Sequence, residues 1–436
     1  MSRRLLIIIS IAVFVIAVSG ATIIWISVRS RTTLPKSEIP TANPISGFPI
    51  SSPPPPPPLV IPAPMPPSPA PVPTSPPEPA LAPIPTPTPA TANSLIKLSS
   101  TPVAGAILIS ASNTALADLL YVEEGTGNLF RADPNGQNNQ RLTDSSIPGV
   151  IKTWWGGNRE TLTLFAQYLN NQEVPTTFRG TYKPPSATSM VTDVSTITSL
   201  AQLVGGIIPN VIAGGIAISP SRDRFFSLLE TATGVTGTIT ELATGKVRTV
   251  FASPFQSWTI AWSTAKAIAL VPKAAVGTPG TIYFLNPNTN DLAPILSGRS
   301  GFTALVSPSG TKILFNEELG PLKIYSVRDN KIQPLIITTL PEKCVWAIDT
   351  INVYCAVPNA PPVAQYPDDW WQGEITFNDS LWQVNTETGE ARIIWSNNTG
   401  GNNKSLDIID LLLDEPGKRL IFTDRWSGYL WSLRQP

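Results

Sequence analysis

The residues best suited to recognition chemistry sit in one stretch, 357–378 (VPNAPPVAQYPDDWWQGEITFN). Tyr366, Trp370 and Trp371 stand beside Asp368 and Asp369. The stretch is polar and proline-rich and lacks strand alternation, so it reads as a loop. Aromatic side chains on loops are frequent binding anchors, and the two carboxylates add a polar rim. The same indoles could instead fold back and plug the body that carries them. A glycan stacking on Trp370 and Trp371 is a further alternative. Nearby, Cys344 and Cys355 flank a tight hairpin turn at Asp349-Thr350 and fall directly opposite each other across it. Opposed strand residues approach closely enough for a disulfide in an oxidising compartment. Two small buried thiols are the alternative.

Most other chemistry is excluded by composition. The 436 residues contain no His, which removes Ser-His-Asp triads, imidazole bases and His-ligated metals. Two Cys without His make no zinc site. Asp133-Pro134-Asn135-Gly136 resembles a calcium-loop fragment but lacks the further acidic ligands, so it reads as a turn. Trp154-Trp155 reads as core. Lys plus Arg and Asp plus Glu balance at 30 each, which gives no basic footprint for nucleic acid. The expectation is therefore a protein that is not an enzyme, with no cofactor and no metal.

The elements that carry these residues repeat. IAISPSRDRFF (216–226), ALVSPSGTKILF (304–315) and LLLDEPGKRLIF (411–422) are each an apolar run, a turn and a second apolar run. Period-2 patterning on both sides of a breaker is a β-hairpin. Weaker copies lie at 151–165 and 260–271. Ser219, Ser263 and Ser307 recur at a fixed 44-residue interval, within the repeat length of a four-stranded propeller blade. Outer hairpins recur too, as in GNLFRADPNGQNNQRLT (127–143) and GTIYFLNPNTNDLAPIL (280–296). Counting turns near Ser112, Gly156, Ser219, Ser263, Ser307, Asp349 and Asp414 predicts an all-β, seven-bladed β-propeller; six or eight blades also fit. The last unit ends one strand short, and SLIKLS (94–99) supplies the strand that closes the ring. Leu200, Leu203, Val204 and Ile207 follow helical spacing, which predicts a short helix in an insertion over 186–212.

NLFRADPNGQNNQRLTD (128–144) followed by the SPSG-type hairpins resembles the TolB/PD40, WD40-like propeller repeats of bacteria. The resemblance covers roughly residues 95–436 and implies an extracytoplasmic interaction module of the cell envelope. The separate α/β domain of TolB-type proteins is not seen, so their specific partners do not carry over.

The propeller is expected over 94–436. Ahead of it, Leu5–Val28 is uncharged and long enough for a transmembrane helix. Trp25 lies near one end of it; Arg3 and Arg4 precede it and Arg29 and Arg31 follow it, so the charges nearly balance, and the tail, 1–4, is placed in the cytoplasm because it is short and the large domain is expected outside. A cleaved signal peptide ending near Ala21 is the rival reading. Residues 29–93 hold 24 of the 47 prolines, including PPPPPP at 53–58, and read as a disordered linker of polyproline II character. The sequence thus predicts a single-pass protein of the cell membrane with its propeller outside. Its expected role is a scaffold binding an envelope protein or polymer. A propeller hydrolase or lyase with a carboxylate-only site, or a glycan-binding module, is the alternative.

Overall fold

The computed structural model describes residues 95–436, apart from 110–117, 134, 137–138, 145–146, 159–160, 183–202, 397–404, 415–416 and 436. The expected membrane segment and proline-rich linker, and the turn near Ser112, lie outside the described residues. Among the described residues no helix is long and apolar enough to cross a membrane.

Alternating apolar runs separated by turns fold into seven four-stranded antiparallel sheets. The chain opens with β1 (Leu95–Lys97), which belongs to the last blade. Blade 1 is β2 (Val103–Ile109), β3 (Asp118–Glu123), β4 (Leu129–Ala132) and β5 (Gln140–Arg141). Blade 2 is β6 (Val150–Gly157), β7 (Leu162–Leu169), β8 (Pro175–Tyr182) and β9 (Val204–Ile208). Blade 3 is β10 (Val211–Ile218), β11 (Arg224–Thr231), β12 (Gly234–Glu241) and β13 (Val247–Ser253). Blade 4 is β14 (Trp258–Thr264), β15 (Ala267–Pro272), β16 (Pro279–Leu285) and β17 (Leu292–Ser300). Blade 5 is β18 (Phe302–Val306), β19 (Lys312–Glu317), β20 (Pro321–Ser326) and β21 (Lys331–Thr338). Blade 6 is β22 (Cys344–Trp346), β23 (Asn352–Pro358), β24 (Asp379–Asn385) and β25 (Ala391–Trp395). Blade 7 is β26 (Ile408–Leu413), β27 (Arg419–Asp424) and β28 (Leu430–Arg434).

β1 completes blade 7. It pairs antiparallel with β28 in the register Leu95↔Leu433, Ile96↔Ser432, Lys97↔Trp431. Beyond the ladder, the Leu98 amide donates to the Leu430 carbonyl at 2.8 Å, and the Leu430 amide donates to Ser99 Oγ at 2.9 Å. The two ends of the propeller sequence therefore share one sheet, and the ring is closed.

The recurring inner turn has one chemistry. Ser219 Oγ accepts from the Arg224 amide (3.0 Å), Ser307 Oγ from the Lys312 amide (3.1 Å), and Asp414 Oδ1 from the Arg419 amide (2.9 Å). Each side-chain oxygen satisfies a donor at the start of the second strand, which is why Ser or Asp stands there. Between neighbouring blades lies an apolar cluster of its own. Phe226 and Trp258 share the cluster between blades 3 and 4, Ile282 and Phe302 that between 4 and 5, and Leu381 and Phe422 that between 6 and 7. Burying one such side chain contributes roughly 1.5–3 kcal/mol, so the ring is held by its seven seams.

One expected element differs. Val204 and Ile207 belong to strand β9 and not to a helix. Gly205 and Gly206 interrupt the helical spacing, and glycine is among the poorest helix formers. A Cβ at Gly205 would sit 1.8 Å from the Arg179 carbonyl oxygen, so the close approach of β8 requires glycine there.

Candidate functional site on the loop face

Strand alternation puts the connections between blades, and those between the second and third strand of each blade, on one face of the disc. We call this the loop face; the hairpin turns after the innermost strands lie on the other. The insertion of blade 6, residues 359–378, is on the loop face and holds helix α1 (Asp368–Gln372).

The structure does not present Tyr366, Asp368, Asp369, Trp370 and Trp371 together at one exposed surface. Tyr366 and Trp370 are buried and stack on Phe377 at centroid distances of 5.8 and 5.9 Å. Together with Leu340 these three rings form a small core beneath the insertion. Asp368 Oδ2 accepts from the Val276 amide of blade 4 at 2.7 Å, and Asp369 Oδ2 accepts from the Gln365 amide at 2.8 Å. These carboxylates fasten the loop. Of the five, Trp371 alone borders an open crevice.

Beneath the loop lies an ionic cluster that sequence reasoning missed. Lys343 follows Pro341 in a single 3-10 turn (Pro341–Lys343) and is fully buried. Its ammonium lies 2.9 Å from Asp379 Oδ2, pairs closely with Asp407 Oδ1, and donates to the Ile408 carbonyl at 2.9 Å. Asp407 Oδ2 accepts from Trp370 Nε1 at 3.0 Å and from the Phe377 amide at 3.2 Å. Lys343 also stands about equally over the Trp370 and Phe377 rings, at 5.1 and 5.0 Å, and Arg425 packs on Trp370 at 4.5 Å. One lysine thus joins blades 6 and 7 to the insertion. Two carboxylates share it, and Asp379 Oδ1 is buried with no hydrogen-bond partner among the described residues. Burial pushes the Asp379 carboxyl up to about 6, against the pull of Lys343. The sequence signal is slight: a Glu342-Lys343 pair beside a cysteine, between two apolar runs.

The crevice beside Trp371 is bounded by Glu342, Thr259 and Thr303. Trp371 Nε1 donates to Glu342 Oε2 at 2.8 Å, and Lys273 stands 5.1 Å from the ring centre. Desolvation raises the Glu342 carboxyl above its ordinary range; Trp371 and the charges of Lys152, Lys273 and Lys343 oppose the rise. The crevice measures 10 Å³, about the room of one water. It is too small for a sugar ring.

Cys344 and Cys355 face each other in the register Cys344↔Cys355, with Cα atoms 4.1 Å apart, and are joined as a disulfide. The bond ties the two innermost strands of blade 6 beneath the insertion.

The rest of the loop face is apolar at its tips. Ile151, Leu169, Val174, Phe255, Val363 and Trp426 are exposed there. Phe255 keeps 64% and Trp426 82% of its accessible surface. On the opposite face, among the described residues, the exposed large apolar side chains are Ile348 at an inner turn and the aliphatic Val247, Leu292 and Ile332 at the starts of outer strands.

No family model matches the sequence, and no curated protein matches it. Among solved structures, the chain is similar to an oligogalacturonate lyase from Vibrio parahaemolyticus. The TM-score is 0.52 at 10% identity, over 78% of this chain and 93% of that one. A second oligogalacturonate lyase gives 0.49 at 11% identity over 73% and 86%. TolB from Acinetobacter baumannii gives 0.37 at 11% identity over 76% and 79%. At this identity the first likeness shows a propeller fold and nothing about chemistry.

Proposed function

We propose that this chain is a binding scaffold: a propeller tethered to the cell membrane through residues 5–28, held outside it, that docks a protein or polymer of the envelope on its loop face. The observation that carries this reading is the exposure of Phe255 and Trp426 at loop tips: the exposed aromatic side chains among the described residues both stand on this face, and the large apolar side chains exposed on the other are aliphatic. Aromatic side chains left in water on one face are characteristic binding anchors. The buried fastening of the blade 6 insertion fits the same role, since it fills the loop-face end of blades 6 and 7 and leaves a rigid platform.

The test is capture from native membranes by the full chain and by the Phe255→Ala/Trp426→Ala variant, with identification of what each retains. Loss of one specific envelope component from the variant supports the reading. Identical retention by both refutes it. A Glu342→Gln variant with altered turnover of an oligosaccharide would instead favour a catalytic propeller.

A further inference from the structure

The rim of the disc is made of the seven outermost strands, each with one edge unpaired among the described residues. Six of them carry a cation: Lys97 on β1, Arg141 on β5, Arg248 on β13, Arg299 on β17, Lys331 on β21 and Arg392 on β25. Pro294 and Pro334 further interrupt β17 and β21. Charges and prolines of this kind deter strand-to-strand association. β9, with the sequence VGGII, has neither. Its Val204 and Ile207 are 74% and 61% exposed. A Cβ at Gly206 would meet nothing within 4 Å, so the blade itself does not require glycine there. What Gly206 leaves is a flat approach for another backbone.

At the loop-face end of β9 a cavity of 560 Å³ opens between blades 2 and 3. Tyr168, Val174, Ile207 and Ile212 form its apolar wall, and Glu230 and Gln256 stand at its rim. Glu230 is exposed and uses its backbone amide, not its carboxylate, to bond the Asn210 carbonyl. An unguarded edge and an apolar cavity at its end, both on blade 2, thus meet a carboxylate on β11 of blade 3 that is exposed and unpaired among the described residues.

We propose that β9 and this cavity dock an extended segment of a partner polypeptide, which adds to blade 2 as a fifth strand. The outer backbone groups of β9, unpaired among the described residues, supply main-chain hydrogen bonds, and the cavity takes an alternate apolar side chain. A Lys or Arg of the segment pairs with Glu230. A second copy of this chain is a poorer occupant, because VGGII brings no cation to Glu230. The site borders the loop face at Val174 but does not rest on the loop-face reading, since neither Phe255 nor Trp426 belongs to it.

A displayed library of random twelve-residue peptides, panned on the full chain, tests the site. Enriched peptides are expected to alternate apolar residues and to carry Lys or Arg near one end. Ile207→Lys, which gives β9 the guard its six counterparts have, should weaken their binding by at least about tenfold. Glu230→Lys should reverse the charge preference. Val247→Lys on β13 should leave binding unchanged, and melting of each variant checks the fold. The proposal is overturned if no peptide is enriched over the Ile207→Lys chain, or if enriched peptides ignore both Ile207→Lys and Glu230→Lys. Light scattering that shows a dimer dissociated by Ile207→Lys would make the occupant a second copy and overturn the assignment of a separate partner.

Discussion

Blade 6 and blade 2 share one strand order but differ in what surrounds them. Blade 6 carries a disulfide between its two innermost strands, a buried lysine shared by two carboxylates, and an insertion whose aromatic rings close over that lysine. Blade 2 ends in a short strand with two glycines, no charge and an open cavity beside it. The difference teaches that the side chains most suggestive of recognition need not perform it. In blade 6 the indole of Trp370 satisfies a buried carboxylate. In blade 2 plain aliphatic residues are left in water.

The largest expected effect falls on the lysine. Lys343→Met leaves Asp379 and Asp407 buried without their counter-charge, and should lower stability by about 3–5 kcal/mol in chemical denaturation. Replacing all three ionic groups with apolar residues should restore much of that loss, because the desolvation cost disappears with the charges. Trp370→Ala should also cost about 3–5 kcal/mol, the loss for a buried indole, and it strands Asp407 Oδ2 as well. A near-neutral Trp370→Ala would show that the insertion is an independent flap and would restore it as a binding loop.

Next comes pH. The folded-state carboxyl of Asp379 lies at about 6, above its ordinary 3.8. The folded protein therefore binds a proton more readily than the unfolded chain between those values. Stability contributed by the protonated form is fully present below about 3.8 and is lost as pH rises through 6. A two-unit displacement corresponds to roughly 3 kcal/mol. Melting temperature should accordingly rise as pH falls from 7 to 5, and Asp379→Asn should flatten that slope. A wild-type melting temperature that falls over the same interval would place the charge elsewhere. The disulfide comes after this: Cys344→Ser/Cys355→Ser closes no long loop, and should cost about 2–3 kcal/mol.

The sequence disclosed those parts of the molecule whose chemistry is local. Ser219, Ser307 and Asp414 mark turns because a side-chain oxygen bonds an amide five positions on. The Cys344–Cys355 register followed from one hairpin, and the closing strand β1 from a last blade one strand short. Long-range chemistry was hidden. Nothing near Lys343 in sequence announces Asp407, since the two meet only when blades 6 and 7 pack. β9 was misread because apolar residues spaced around two glycines fit a short helix as well as a short strand. The stacking of Tyr366 and Trp370 on Phe377 depends on how the insertion crosses the disc, which loop composition does not encode.

The smallest expected effect on stability is also the most direct test of where function lies. Phe255 and Trp426 are exposed, so Phe255→Ala/Trp426→Ala should move the melting temperature little, with a change within about 0.5 kcal/mol. Capture of an envelope component from native membranes, measured beside melting on that double variant, decides the matter. Capture abolished at unchanged stability is the expected result. Capture undiminished at unchanged stability would contradict it and remove the loop face as the binding surface.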